Sequence, residues 1–295
     1  MQNKPKLFSE FPPISIAEWE KQIRKDLKGQ DYDKKLLWET LDGFILKPYY
    51  SEKDLLPLDY LNSISPHLMP SDGHLISNSW IMHQEILESD PLKANKLAVK
   101  AIKGGMNHIS FNASEIKNLS KLNVLLKGID IIEISIGFYN QECNRFLRNL
   151  LTEFAVSNNF NKLKIRGNFE ADPYGILLST GDYRENPGQL KRHYYELIDS
   201  LDTHLPNFRG ITIHGQQFHN GGATSTQELA YVLALGVEYL SMLTEQELPI
   251  DSITPFLQLS FGIGSDYFIE IAKIRAARLL WSKMVEQYSP KKKDS

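Results

Sequence analysis

The sequence predicts an α/β fold: a parallel (β/α) barrel of TIM type, left incomplete, behind an extended amino-terminal arm. From His74 onward, short apolar runs alternate with longer helical patterns in six successive units, the alternation that βα units produce. The strand-like runs are apolar throughout, as expected of strands covered on both faces. The clearest unit is Ile211-Thr-Ile-His214, then a polar crest with Gly221-Gly222, then a helix from Ser225 to about Met242. Its crest lies at the carboxyl end of the strand, where such barrels keep their chemistry. A doubly wound open sheet is the second architecture that fits.

The arm comprises residues 1–70. Residues 1–13 end in Phe11-Pro-Pro13 and should be extended. Ser15 and Glu18 form a capping box, and Trp19, Ile23 and Leu27 make an apolar stripe that stops at Gly29,. Leu36–Trp38, Phe44–Leu46 and Tyr49–Tyr50 are strand-like or irregular pieces around the turn Asp42-Gly43,. So aromatic and so poorly patterned a segment predicts a strap on its own domain or on a partner.

The barrel domain, 71–290, reads as strand Ser79–Gln84 and a helix capped by Asp90 with Pro91 first, running to about Lys103,. Strand Asn107–Phe111 precedes helix Ser114–Leu126, and strand Ile129–Ile136 precedes helix Asn140–Val156. Strand Lys162–Gly167 leads through a polar loop to helix Gln189–Thr203. Strand Gly210–His214 opens the 225–242 helix, whose Thr224 and Gln227 form a second capping box,. Strand Phe256–Phe261 and helix Asp266–Tyr288 come last, before a solvated tail, 291–295. That helix is apolar except for a narrow face of Lys273, Arg275, Arg278 and Lys283, and predicts burial under the arm or contact with a second chain,. Trp80 and Trp281 are expected in the core.

A net charge of −3 gives no reason to expect nucleic acid or an anionic membrane as partner,. The single cysteine, Cys143, excludes an intrachain disulfide and a thiolate zinc cluster, reads as an inert thiol, and suits a reducing cytoplasm,. There is no signal-peptide pattern and no apolar run long enough to span a bilayer,.

Three blocks carry a family resemblance. They are Trp19…Lys25-Asp-Leu-Lys-Gly29…Leu37-Trp38…Asp42-Gly43, then His219-Asn-Gly-Gly-Ala through Gly236-Val-Glu-Tyr239, and then Asp266-Tyr-Phe-Ile-Glu through Leu280-Trp281. In that order they resemble the acyl-CoA mutases that use adenosylcobalamin, the methylmalonyl-CoA mutase family above all. The resemblance implies an eight-stranded barrel, so a seventh and an eighth unit are missing or replaced; the candidate replacements are Phe44–Tyr50 and Asp54–Leu61. The family's cobalamin-binding domain, with its Asp-x-His-x-x-Gly motif, is not expected, since no such motif occurs.

Active members carry Trp-x-Ile-Arg-Gln-Tyr on the first strand; here Trp80-Ile-Met-His-Gln-Glu85 places His83 at the Arg and Glu85 at the Tyr, while Gln84 matches. A carboxylate at Glu85 would repel an acyl-CoA carboxylate. On the fifth strand the active Ser-Gly-Tyr-His becomes His214-Gly-Gln216-Gln217. Gln217 can donate a hydrogen bond but cannot transfer a proton. On the fourth strand, Asn168-Phe-Glu-Ala-Asp-Pro173 replaces a Gln and a following Arg, with no Arg until Arg184. The resemblance is therefore to the small, non-catalytic subunit, partner of a large catalytic chain that holds adenosylcobalamin. It implies no cofactor on this chain, self-association when the chain is alone, and a vestigial pocket around Gln84, His214 and Gln216. The alternatives are an active acyl-CoA mutase and, from another class, a barrel hydrolase or lyase using Glu170, Asp172 and His214, with His219 as a further candidate,. Against the last, Asp172 can simply open a turn with Pro173, and no His-x-His or His-x-x-x-His spacing marks a metal site.

Overall fold

The computed structural model describes Phe11 and residues 14–63, 80–139, 144–182 and 186–291. The expectations for Cys143, Arg184, the stretch around residue 71 and the tail beyond 291 lie outside these residues. The chain divides into two compact units, Met1–Ser63 and Ile64–Ser295.

In the first unit, helix α1 (Ile16–Asp26) begins at the Ser15–Glu18 capping box that its sequence specifies. Helix α2 (Tyr32–Leu36) is capped by Asp31. Strands β1 (Trp38–Glu39) and β2 (Ile45–Leu46) pair antiparallel around Gly43, whose φ of 79° suits glycine,. A 3₁₀ stretch, Glu52–Ser63, follows. Neither candidate for a missing barrel unit is one: 45–46 pairs within this unit, and 54–61 lies in the 3₁₀ stretch. Tyr49 sets its ring against the edge of Trp19 at 3.7 Å and donates to Glu20, while Lys47 bridges Asp54 at 2.9 Å. No described side chain from 14 to 58 is buried.

The second unit alternates strand and helix. Its elements begin with β3 (His83–Ile86), α3 (Pro91–Lys103), β4 (His108–Asn112) and α4 (Leu119–Leu125). Next come β5 (Ser135–Tyr139), α5 (Asn144–Ser157), β6 (Gly167–Phe169), α6 (Pro173–Thr180) and α7 (Pro187–His204). The last are β7 (Phe208–Arg209), β8 (Ile211–His214), α8 (Gln216–Asn220), α9 (Ser225–Thr244), α10 (Ile250–Ile253), β9 (Leu257–Ser260) and α11 (Tyr267–Glu286). Strands β3-β4-β5-β6-β7 form one parallel sheet, and β8 pairs parallel with β9. Gly210 joins the two, donating to Phe256 O, while Thr212 N donates back to Ala171 O beside β6. The result is an incomplete parallel (β/α) barrel, with β3 and β9 each hydrogen-bonded to one neighbour only among the described strands.

Alternation along the strands sorts the side chains. Phe111, Phe138, Phe169 and Phe208, one from each of four neighbouring strands, contact in series at 6.2, 6.1 and 4.7 Å and are fully buried. His108, Ser110, Ser135, Gly137 and Asn168 take the opposite face. Gly167 must be glycine, since a Cβ there would meet the Ile136 carbonyl.

Three strands are displaced from their expected positions. The run Ile129–Ile132 is a turn, closed by Asp130 Oδ1 on Ile132 N and by Asp130 O on Ile134 N, and buries Ile129 and Ile131 without pairing; the strand begins at Ser135. Asn161 caps a 3₁₀ turn over Lys162–Lys164, so the fourth strand starts at Gly167. The first starts at His83, not Ser79, a position outside the described residues. Trp80 is not a core residue: it is 75% exposed. Trp281 is half-buried and packs where a Cβ on Gly236 would come within 2.4 Å of its ring. Trp80→Ala should therefore change stability by less than about 0.5 kcal/mol and Trp281→Ala by about 3 kcal/mol, measured by denaturant titration. Equal losses would mean that the two rings are placed alike.

Helix α11 also departs from its expected orientation. Lys273, assigned to an outer polar face, is 3% exposed, and Glu270 is buried beside it, whereas Phe268 is 81% exposed. Arg275, Arg278 and Lys283 are exposed as expected; only Lys273, with Glu270, turns in, while Phe268, Ile271, Ile274 and Leu280 face out.

Candidate functional site

The strands deliver a polar cluster to the face opposite the phenylalanines. His108 Nδ1 lies 2.9 Å from Ser135 Oγ and Nε2 lies 3.3 Å from Ser110 Oγ, and Ser110 Oγ donates to Glu170 at 3.2 Å. This crowding requires Gly137, whose Cβ would come within 2.2 Å of Ser110 Oγ. The His83 ring meets His108 edge-on at 4.7 Å. Burial, and then the neighbouring His83, bring the His108 imidazole down to about 4,. Tyr139 donates to Ile86 O at 2.7 Å, and burial followed by the charges of Glu85 and Glu170 pushes its phenol up to about 12. The charges of Glu85, on β3, and Glu170, just past the end of β6, thus both act on one phenol.

The His108 value carries a pH dependence. An unfolded histidine titrates near 6.5, so the unfolded chain takes up this proton first as the pH falls. The stability that neutral His108 contributes is full above pH 6.5 and is lost progressively down to pH 4,. Chemical denaturation across that window should show a shallower slope for His108→Gln than for the parent chain.

The proposed acid/base group does not assemble. Asp172, 4% exposed, accepts from Tyr239 Oη at 2.7 Å, Gly175 N at 2.9 Å and His214 N at 3.1 Å. It caps α6, a helix that the sequence reading took for a loop although Asp172-Pro173 is a helix-start signal,. The His214 imidazole is held by Gln216 Nε2 at 3.0 Å, and Gln216 Oε1 accepts from Ser260. Glu170 is bonded to Ser110 instead. Gln84 donates to the Glu85 carbonyl and is exposed, as is Gln217 on α8. His83, Glu85 and Glu170 therefore share one cluster, while His214, Gln216 and Asp172 belong to a second.

A third group was not foreseen. Glu228, fully buried on α9, accepts from Lys273 Nζ at 2.6 Å and from Gly262 N at 2.6 Å. Lys273 also donates to Gly262 O at 2.7 Å and stands 2.7 Å from Glu270 Oε2, a charge contact without hydrogen-bond alignment. Glu270 Oε1 accepts from Gly264 N, and His219 Nδ1 lies 3.9 Å from Glu228. This knot fastens the Gly262–Gly264 turn to two helices. Its one sequence signal is a charged residue at apolar helical spacing. Among the described residues, no three His, Cys, Asp or Glu side chains could hold a metal ion, and no helix is long and apolar enough to cross a membrane.

Residues 112–295 match the family model described as methylmalonyl-CoA mutase. The chain is 33% identical to the methylmalonyl-CoA mutase small subunit of Porphyromonas gingivalis over 99% of its own length and 47% of that protein. It is 26% identical to the small subunit of Streptomyces virginiae over 95% of its own length and 46% of that protein. Against the large subunit of Streptomyces virginiae it is also 26% identical, over 95% of its length and 42% of that protein. The chain thus spans just under half the length of these relatives. With a family-model match over more than half of its residues, the chain belongs to the methylmalonyl-CoA mutase family.

Proposed function

We propose that the chain serves as the small, non-catalytic subunit of a methylmalonyl-CoA mutase, supporting a large catalytic chain in the cytoplasm. The large chain then interconverts methylmalonyl-CoA and succinyl-CoA with adenosylcobalamin. The observation that carries this reading is Glu85 beside Glu170: Glu85 lies in register with Ser110, whose hydroxyl donates to Glu170. An acyl-CoA carboxylate brought to these strand ends would meet negative charge, with His108 neutral at physiological pH and no Arg at position 83,.

Nor do the residues fit cobalamin. The 295 residues contain no Asp-x-His-x-x-Gly; His108, which opens β4, is engaged by two serines, and His214, which closes β8, by Gln216. On this reading the chain contributes surface instead of chemistry: it associates with the large subunit as a heterodimer and self-associates when alone.

The test is incubation of the purified chain with adenosylcobalamin, followed by desalting and assay. The protein should emerge colourless and should not isomerise methylmalonyl-CoA, yet should co-sediment with a catalytic large subunit in equal amounts. Stoichiometric red colour, or two independently sedimenting proteins, would sink the proposal.

A further inference from the structure

We infer that the cleft formed by α1, α2 and the start of the 3₁₀ stretch in the first unit is a binding site for a small monocarboxylate with an aromatic body. This goes beyond the subunit role proposed above and does not depend on it.

Local sequence builds the cleft. The Ser15 capping box starts α1 so that Ile16, Glu20 and Arg24, at i, i+4 and i+8, share one face of the helix,. All three line the cleft. Tyr32 of α2 and Leu37 beyond it add an aromatic and an aliphatic wall. Lys47, Tyr49, Ser51, Lys53 and Asp54 complete the lining. The cavity measures about 420 Å³, within the range of roughly 300–1,000 Å³ for clefts that hold small ligands. Arg24, Lys47 and Lys53 are exposed, and the other lining residues are half-buried.

The charges of the cleft are unequally committed. Asp54 accepts from Lys47 Nζ at 2.9 Å, Ser51 N at 2.8 Å and Ser51 Oγ at 3.0 Å. Lys47, ahead of Ser51, brings its carboxyl down to about 2. Glu20 accepts from the Tyr49 hydroxyl at 3.0 Å, and partial burial followed by that bond pushes the phenol up. Both carboxylates of the cleft thus have their donors already. Among the described residues, no hydrogen bond or ion pair engages the side chain of Arg24 or Lys53. Three cations against two carboxylates leave one positive charge over. That excess suits a monoanion and falls short of a phosphate dianion, and it repels a metal ion or an ammonium ligand. A guanidinium fork takes a carboxylate through two parallel bonds. Ile16, Leu37 and the Tyr32 ring give an aromatic body its apolar contact.

Calorimetric titration of the full chain with phenylacetate should give a dissociation constant of about 1 mM or below, which about ten non-hydrogen atoms can supply. Neutral phenylacetamide and cationic phenethylamine should bind at least about tenfold more weakly, having lost a charge-assisted pair. Arg24→Gln should weaken phenylacetate by about tenfold and Lys53→Gln by about threefold. Lys21→Gln, at an exposed position on α1 outside the lining, should leave binding unchanged. In the parent chain, the ring resonances of Tyr32 and Tyr49 should move during the titration while that of the buried Tyr239 stays in place, a readout that needs no variant. Absence of binding, equal affinity for the amide, Arg24→Gln binding like the parent, or shifts confined to other tyrosines would each overturn the inference.

Discussion

Lys273→Met should destabilise the second unit by about 3–5 kcal/mol, the cost of removing one partner from a buried ion pair. The loss comes from what remains: Glu228 is fully buried and Glu270 nearly so, and the ammonium between them is their counter-charge. Gly262 O loses a donor in the same step. Adding Glu228→Gln should recover part of the loss, because the neutral amide need not be compensated and can still accept from Gly262 N,. Denaturant titration of the parent, both single variants and the double variant gives the coupling directly. A loss of less than about 1 kcal/mol in Lys273→Met would place the ammonium in water, and α11 would have to be rotated.

Asp172→Ala is the second large effect, also about 3–5 kcal/mol, because three donors lose one acceptor at once and each orphan costs roughly 1–3 kcal/mol. Two are the amides of Gly175 and His214, and the third is the Tyr239 hydroxyl, held well above its ordinary titration range by burial and by Asp172. Asp172→Asn should cost less, since its oxygen can still take Tyr239 and Gly175 while its amide faces the His214 N–H. A catalytic aspartate would behave in the opposite way, tolerating truncation in the fold and losing only turnover. If Asp172→Ala proves as stable as the parent chain, the hydrolase reading regains its acid.

Local signals were legible in the sequence. The capping boxes at Ser15 and Thr224 and the Asp90-Pro91 start fix helices from neighbouring residues alone, and those helices form where they predict. The run Ile129–Ile132 misled because burial inside a turn and burial inside a strand leave the same apolar letters. The positions of His83 and Glu85 could be read from the resemblance, but their neighbours could not. Strand register, pairing His83 with His108 and Asn112 with Tyr139, decides which groups meet. The Lys273 knot is further still from local pattern: its partner lies 45 residues away, and the apolar residues around it argued for the wrong face.

The first unit has a thermal consequence. With every described side chain from 14 to 58 partly in water, its order rests on capped helices, a two-residue ladder, one aromatic edge contact and polar contacts such as Tyr49–Glu20 and Lys47–Asp54. Losing that order exposes little new apolar surface, and apolar exposure is what raises the heat capacity of an unfolding chain. A calorimeter should record the second unit as a peak with a step in the baseline, and the first as little more than a slope.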